Sequence, residues 1–131
     1  DSTRSFVLLV RDLDAIVGDG TDDQLHWLVW NIPATATSLP AGVPSGAQLE
    51  GGMRQISVSG PYYRGPAAPS TGPHHHYVFE LYALDTMLDV AAVTPGQQIQ
   101  PAVTRAAVVA AMAGHVRGTA TLVGTFRRAA P

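Results

Sequence analysis

The sequence predicts a β-rich domain with one late helix, built on an antiparallel or mixed sheet. Three observations carry this. Strand-length runs recur at Ser5–Val10, Leu25–Ile32 and His75–Leu84, rich in β-branched and aromatic residues. Helical character is confined to Thr104–Met112. Strands and helices therefore do not alternate as a doubly wound sheet requires. At 131 residues the chain has the length of one domain and can bury a core.

The elements follow in order. Ser5–Val10 is a continuous apolar run, as suits a buried strand. Residues Asp12 to Asp23 are acidic and contain glycine, which predicts a loop. Leu25–Ile32 is a second strand, closed by Pro33. Residues 34–54 are rich in Ala, Thr, Ser, Gly and Pro and read as a long irregular connection, with a turn at Leu39-Pro40-Ala41-Gly42. Gln55–Val58 is a short strand, and Gly60–Pro73 a Pro/Gly loop opening on Tyr62 and Tyr63. In the strand His75–Leu84, alternation places His75, Tyr77 and Phe79 on one face and His76, Val78 and Glu80 on the other. Thr94-Pro95-Gly96 is a turn. The helix takes Thr104 as N-cap and Gly114 as its stop. Val116–Phe126 is a last strand.

Composition narrows the function. Hydrophobic residues make up 46% and charged residues 14%, which excludes a disordered chain. A net charge of −2 offers nothing to nucleic acid or an anionic membrane. No run reaches the ~18 apolar residues of a membrane span, so no integral membrane association is expected. All eight basic residues are Arg, which removes Schiff-base chemistry and a phosphate-loop lysine. With no Cys there is no disulfide, thiolate nucleophile or thiolate metal site. The compartment stays open between cytoplasmic and, with a leader removed, periplasmic or secreted.

Chemistry-bearing residues collect at the ends of the strands. Asp12 and Asp14 lie two apart, on one side of an extended segment, where mutual repulsion raises one pKa or donors hold both. They serve either to orient a His or accept from a ligand, or to cap an acidic loop. His26 sits in an otherwise apolar strand beside Trp27 and Trp30, where a core role and a functional role are both open. His74-His75-His76 invites a metal reading, yet neighbours on a strand point to opposite faces, so His75 and His76 cannot share an ion, while His74 and His76 could only with ligands from elsewhere. No metal and no cofactor are expected. Gly65-Pro66, followed by Ala67-Ala68-Pro69, makes a stiff loop able to bring a backbone N–H close to an anion. No nucleophile elbow is present. Such a cluster makes either a small-anion pocket or a small acid–base site.

These stretches resemble the phosphatidylethanolamine-binding proteins, which include the Raf kinase inhibitor proteins. The family's first signature is similar to D-P-D-A-P followed by a strand with H-x-L-V-x-N; here stand Asp12-Leu13-Asp14-Ala15-Ile16 and His26-Trp27-Leu28-Val29-Trp30-Asn31. Its second is similar to G-P, a loop, G-x-H-R-Y and a strand ending L-Y; here stand Gly65-Pro66, His75-His76-Tyr77 and Leu81-Tyr82. The tail Ala106 to Arg128 resembles the bacterial branch. The resemblance implies a β-sandwich with a central antiparallel or mixed sheet, as a single domain over 1–131. The family's P-x-L-x-W stretch has no counterpart before Asp1, so the domain is expected to lack its first N-terminal strands. It also implies a ligand site of Asp12, Asp14, His26, Gly65, Pro66, His75 and Tyr77 for a small anionic or phosphorylated ligand such as a phospholipid headgroup. His75 is preferred over His74 because it shares a face with Tyr77. Action as regulator or inhibitor of a partner protein, and a homodimer, are implied with it. The alternative is an enzyme using His26, His75 and Asp12 for acid–base work on a small carbonyl or phosphoryl substrate. Leu13 and Ile16 replace the prolines of the first signature, and His76 replaces the Arg of the second.

Overall fold

The computed structural model describes residues 2–17 and 22–131. Five strands form one sheet: β1 (Ser5–Val17), β2 (Asp22–Pro33), β3 (Arg54–Ile56), β4 (His75–Leu84) and β5 (Val116–Phe126). Their order is β3-β2-β1-β4-β5, and every pairing is antiparallel. One helix, α1 (Pro101–Met112), precedes β5.

The edge strand β5 is exposed along its length, but the central strands β1 and β2 are covered on both faces. That is why β1 reads as a continuous apolar run rather than an alternation. On one face Val7, Leu9, Leu28, Trp30, Ile56 and Leu84 meet Leu88 and the α1 residues Val108 and Met112. On the other, Val10, Trp27, Val29 and Ile32 pack with Phe6, Leu8 and Phe79 against Leu39, Val43 and Met53 of the 34–53 connection. Gln55 pins that connection. Its amide nitrogen donates to the carbonyls of Pro44 and Gly46, and its oxygen accepts from the Trp27 indole.

Two irregularities in β2 set which side chains face where. Asn31 adopts φ 57°, a left-handed conformation that Asn tolerates better than most residues. Its amide holds both the N–H and the C=O of Leu88. Next to it the β1–β2 register shifts between Phe6↔Ile32 and Leu8↔Val29, which brings Ile32 onto the face of Val29. The second shift lies between Val10↔Trp27 and Arg11↔Leu25. It leaves His26 as the extra, bulged residue.

The acidic stretch is mostly strand rather than the expected loop. Asp12 opposes Gln24, Ile16 opposes Asp23 and Val17 opposes Asp22, with the chain bulging over 13–15; residues 18–21 lie outside the described residues. Pairing and distant cations override the composition. Arg11 and Arg105 both bind Asp23. The helix also starts earlier than expected. Thr104 is interior, its N–H bonded to the Gln100 carbonyl at 3.0 Å, and Pro101 occupies the first turn, where its missing N–H costs nothing. The expected stop holds: Gly114 has φ 81° and the His115 N–H reaches the Met112 carbonyl. The short strand is Arg54–Ile56, because Ser57 and Gly60 exchange backbone hydrogen bonds in a tight turn.

Candidate functional site

At one end of the sheet β1, β2, β4 and the 64–69 loop enclose a cavity of about 160 Å³. It is lined by Asp12 and Ala15 of β1, Gln24 and His26 of β2, His75 and Tyr77 of β4, and Arg64, Ala67, Ala68 and Pro69 of the loop.

Asp12 is buried and organises two elements at once. One carboxylate oxygen accepts the Asp14 N–H at 2.9 Å, a local bond that shapes the 13–15 bulge. The other accepts from His75 Nδ1 at 2.8 Å. A carboxylate only accepts, so Nδ1 carries the hydrogen and Nε2 is left for other work. The bulge also separates the two acidic residues. Asp14 is exposed and grips the β4 start, taking both the backbone N–H and the ring Nδ1 of His76. That backbone N–H, and then the ring, hold the Asp14 carboxyl below the usual carboxylate range. Of the two outcomes expected for this pair, the one found is that donors hold both carboxylates. Asp14 lies off the cavity wall, as does His74.

His26 ties the loop to β2. Its backbone carbonyl accepts the Arg64 N–H at 2.9 Å, while its ring Nδ1 donates to the Arg64 carbonyl at 2.7 Å. Nε2 faces the Gln24 amide at 3.0 Å. An amide offers an acceptor or a donor by rotating, so Gln24 serves either protonation state of the ring. Both His26 nitrogens are thus engaged by the protein itself. Tyr77 meets the His26 ring edge-on, centroids 5.1 Å apart.

Burial, and then the Asp12 charge, push the Tyr77 phenol above its ordinary pKa, against a smaller pull from the Ala67 and Ala68 backbone. The phenol therefore stays a hydrogen-bond donor at neutral pH. Because the folded-state pKa lies above the unfolded value of about 10, this contribution to stability is complete below that pH. It is lost as the pH rises through the raised value. In an alkaline absorbance titration Tyr77→Phe is expected to remove a phenol from the late, high-pH limb. Loss of an early-titrating phenol instead would contradict this environment.

Gly65 and Pro66 are not wall residues; their neighbours Arg64 and Ala67 are. Nothing in the backbone demands glycine at 65, where an added Cβ would meet only the Tyr63 ring at 3.9 Å. Arg64 and Gln24 were not among the residues expected here. Gln24 could have been found from its place two before His26. Arg64 carried no signal beyond adjacency to the Gly-Pro pair. Its guanidinium bonds Ser59 Oγ, but its buried Nε–H has no partner among the described residues. No three His, Cys, Asp or Glu side chains converge as a metal set among the described residues.

Comparison with known proteins fits this fold. The family described as phosphatidylethanolamine-binding protein matches residues 1–127. The chain belongs to this family. A UPF0098 protein of Methanothermobacter thermautotrophicus is 41% identical over 127 residues, covering 95% of this chain and 74% of the relative. The UPF0098 protein PH1269 of Pyrococcus horikoshii is 34% identical, and the chain spans 60% of its length. Among solved structures, Escherichia coli YbcL, described as a new member of the mammalian PEBP family, superposes with a TM-score of 0.69 at 28% identity. That match covers 98% of this chain and 74% of YbcL. No helix among the described residues is long and apolar enough to cross a membrane.

Proposed function

We propose that this family member is a small-anion binding protein whose pocket takes a phosphoryl or carboxylate group, as on a phospholipid headgroup or a phosphorylated metabolite. The observation that carries the reading is Arg64, a residue of the cavity wall whose buried Nε–H has no partner among the described residues. An unpaired buried cationic donor is costly, and an oxyanion satisfies it with a charge-assisted bond. The one carboxylate on the wall, Asp12, is already occupied by two hydrogen bonds, so it does not take up the arginine. His75 Nε2 and the neutral Tyr77 hydroxyl add further polar groups on the same wall. Size agrees: about 160 Å³ is roughly five water volumes and falls below the ~300 Å³ floor of drug-sized pockets. That suits one polyatomic anion or a single headgroup. His26 acts in this reading as a strut holding the Arg64 loop.

A titration with inorganic phosphate and then phosphoethanolamine, following the five His ring signals by NMR, tests it. His75 is expected to move most, His26 to follow through Arg64, and the exposed His74, His76 and His115 to stay. The response should vanish in His75→Ala. If only the exposed rings respond, the pocket reading is wrong.

The Asp12–His75 pair favours a second reading. A carboxylate that fixes the tautomer of an imidazole is also the arrangement of a general base. Phosphorus spectra of the same samples would report it, as a new product signal that falls ~10²-fold in rate in His75→Ala.

A further inference from the structure

Behind the pocket, on the helix side of the sheet, lies a chain of charges. Arg11 Nε donates to Glu80 at 2.6 Å and its Nη1 to Asp23 at 2.7 Å. Arg105, on α1, donates to the other Asp23 oxygen at 2.8 Å and to the Asp23 backbone carbonyl at 3.1 Å. Tyr82 donates to the second Glu80 oxygen. The side chains of Asp23 and Arg105 are only 10% and 17% exposed, so solvent screens this pair far less than a surface bridge.

The placement of this network relative to the pocket is what matters. Asp12 orients His75, and Gln24 faces His26. Asp12 and Gln24 oppose each other directly across the β1–β2 ladder. Each has a network member as its neighbour, Arg11 before Asp12 and Asp23 before Gln24. Adjacent strand residues point to opposite faces, so the ions sit behind the two residues that steer the imidazoles. Moreover, the Asp23 carbonyl held by Arg105 belongs to the peptide unit that leads into Gln24.

We propose that Arg105 is a positioning residue for the pocket: through Asp23 and Arg11 it locks the Asp12–Gln24 pair, and so the two histidine rings, from the far face of the sheet. The pocket's geometry then depends on the ion contacts that Arg105 brings from α1, not on how tightly the helix core packs. This rests on reading the cavity as the binding site, but its first consequence is visible without any ligand.

The test compares Arg105→Gln, Arg105→Lys and Val108→Ala by NMR at one fixed pH. Val108 is a fully buried α1 residue outside the ion network, so its truncation loosens the helix without touching Asp23. Backbone amide spectra first establish that each variant is folded. In the phosphate-free protein, Arg105→Gln is expected to shift the His26 and His75 ring signals, with Arg105→Lys restoring most of their positions and Val108→Ala leaving them near wild type. With phosphate added, Arg105→Gln should weaken binding about 2- to 30-fold, the range of long-range coupling in proteins. Unmoved rings in Arg105→Gln overturn the proposal, and so do equal shifts in Val108→Ala, which would make the effect general loosening. Should the rings move as expected while wild type binds no phosphate, the positioning network stands and the anion-pocket reading falls.

Discussion

Replacing Trp30 by Ala is expected to cost about 3–5 kcal/mol of stability, the largest effect of any single change considered in this chain. Trp30 is fully buried in the helix-side core, clustered with Val7, Leu9, Leu28, Ile56 and Leu84 of the sheet and with Val108 and Met112 of α1. An alanine there removes most of a large aromatic surface and leaves a void that strands and helix cannot both close. The indole N–H also donates to the Val90 carbonyl at 3.0 Å. That bond anchors the 85–100 connection to the sheet beside the Asn31–Leu88 clamp. A domain of this size holds only about 5–15 kcal/mol in total, so the variant should sit near the edge of folding. Urea unfolding with an unchanged slope and a lowered midpoint would report it. Trp30→Phe, which keeps most of the volume and loses the indole bond, should fall between. A loss below about 1 kcal/mol in Trp30→Ala would mean that the sheet and α1 repack freely.

The parts of the fold legible in the sequence were those that depend on local pattern. A strand buried on both faces has to be largely apolar, and Ser5–Val10 is apolar but for Ser5, as Leu25–Ile32 is but for His26 and Asn31. Gly114 ends a helix for reasons confined to its own backbone. The hairpin between Asp12 and Asp23 was missed because what holds it is not local. Its charges are answered by Arg105, 82 positions away, and by an Arg11 that a loop reading leaves without a role. The same division runs through the pocket. Period-two alternation on β4 correctly placed His75 and Tyr77 together. It could not place Arg64 on that wall. His26 lies at a register shift, and its bonds to Arg64 close a span of 38 residues that no spacing rule anticipates. Pattern also drew attention to Gly65 and Pro66, when the side chain on the wall was their neighbour.

Arg64→Met is expected to separate function from stability. Arg64 contributes to the fold mainly through its backbone, whose N–H and C=O both bind His26, and any side chain keeps those two bonds. Its side chain makes one bond, to Ser59 Oγ, and holds a buried Nε–H that no group among the described residues answers. Methionine fills much of the same space without that unpaired donor. Stability should therefore change by less than about 1 kcal/mol, or rise, since removing a buried orphan relieves its desolvation cost. Anion binding should respond very differently. A charge-assisted hydrogen bond is worth about 1.5–3 kcal/mol, so phosphate affinity should fall about 10- to 150-fold. Calorimetric titration with phosphate, read beside the urea midpoint, measures both. Affinity within twofold of wild type would leave the buried N–H as a mere packing flaw. Lost affinity with lost stability would make Arg64 a strut of the loop rather than a ligand group. Only lost affinity with retained stability fits a residue kept unsatisfied for a ligand, because a donor with no partner among the described residues makes sense when its partner arrives from solution.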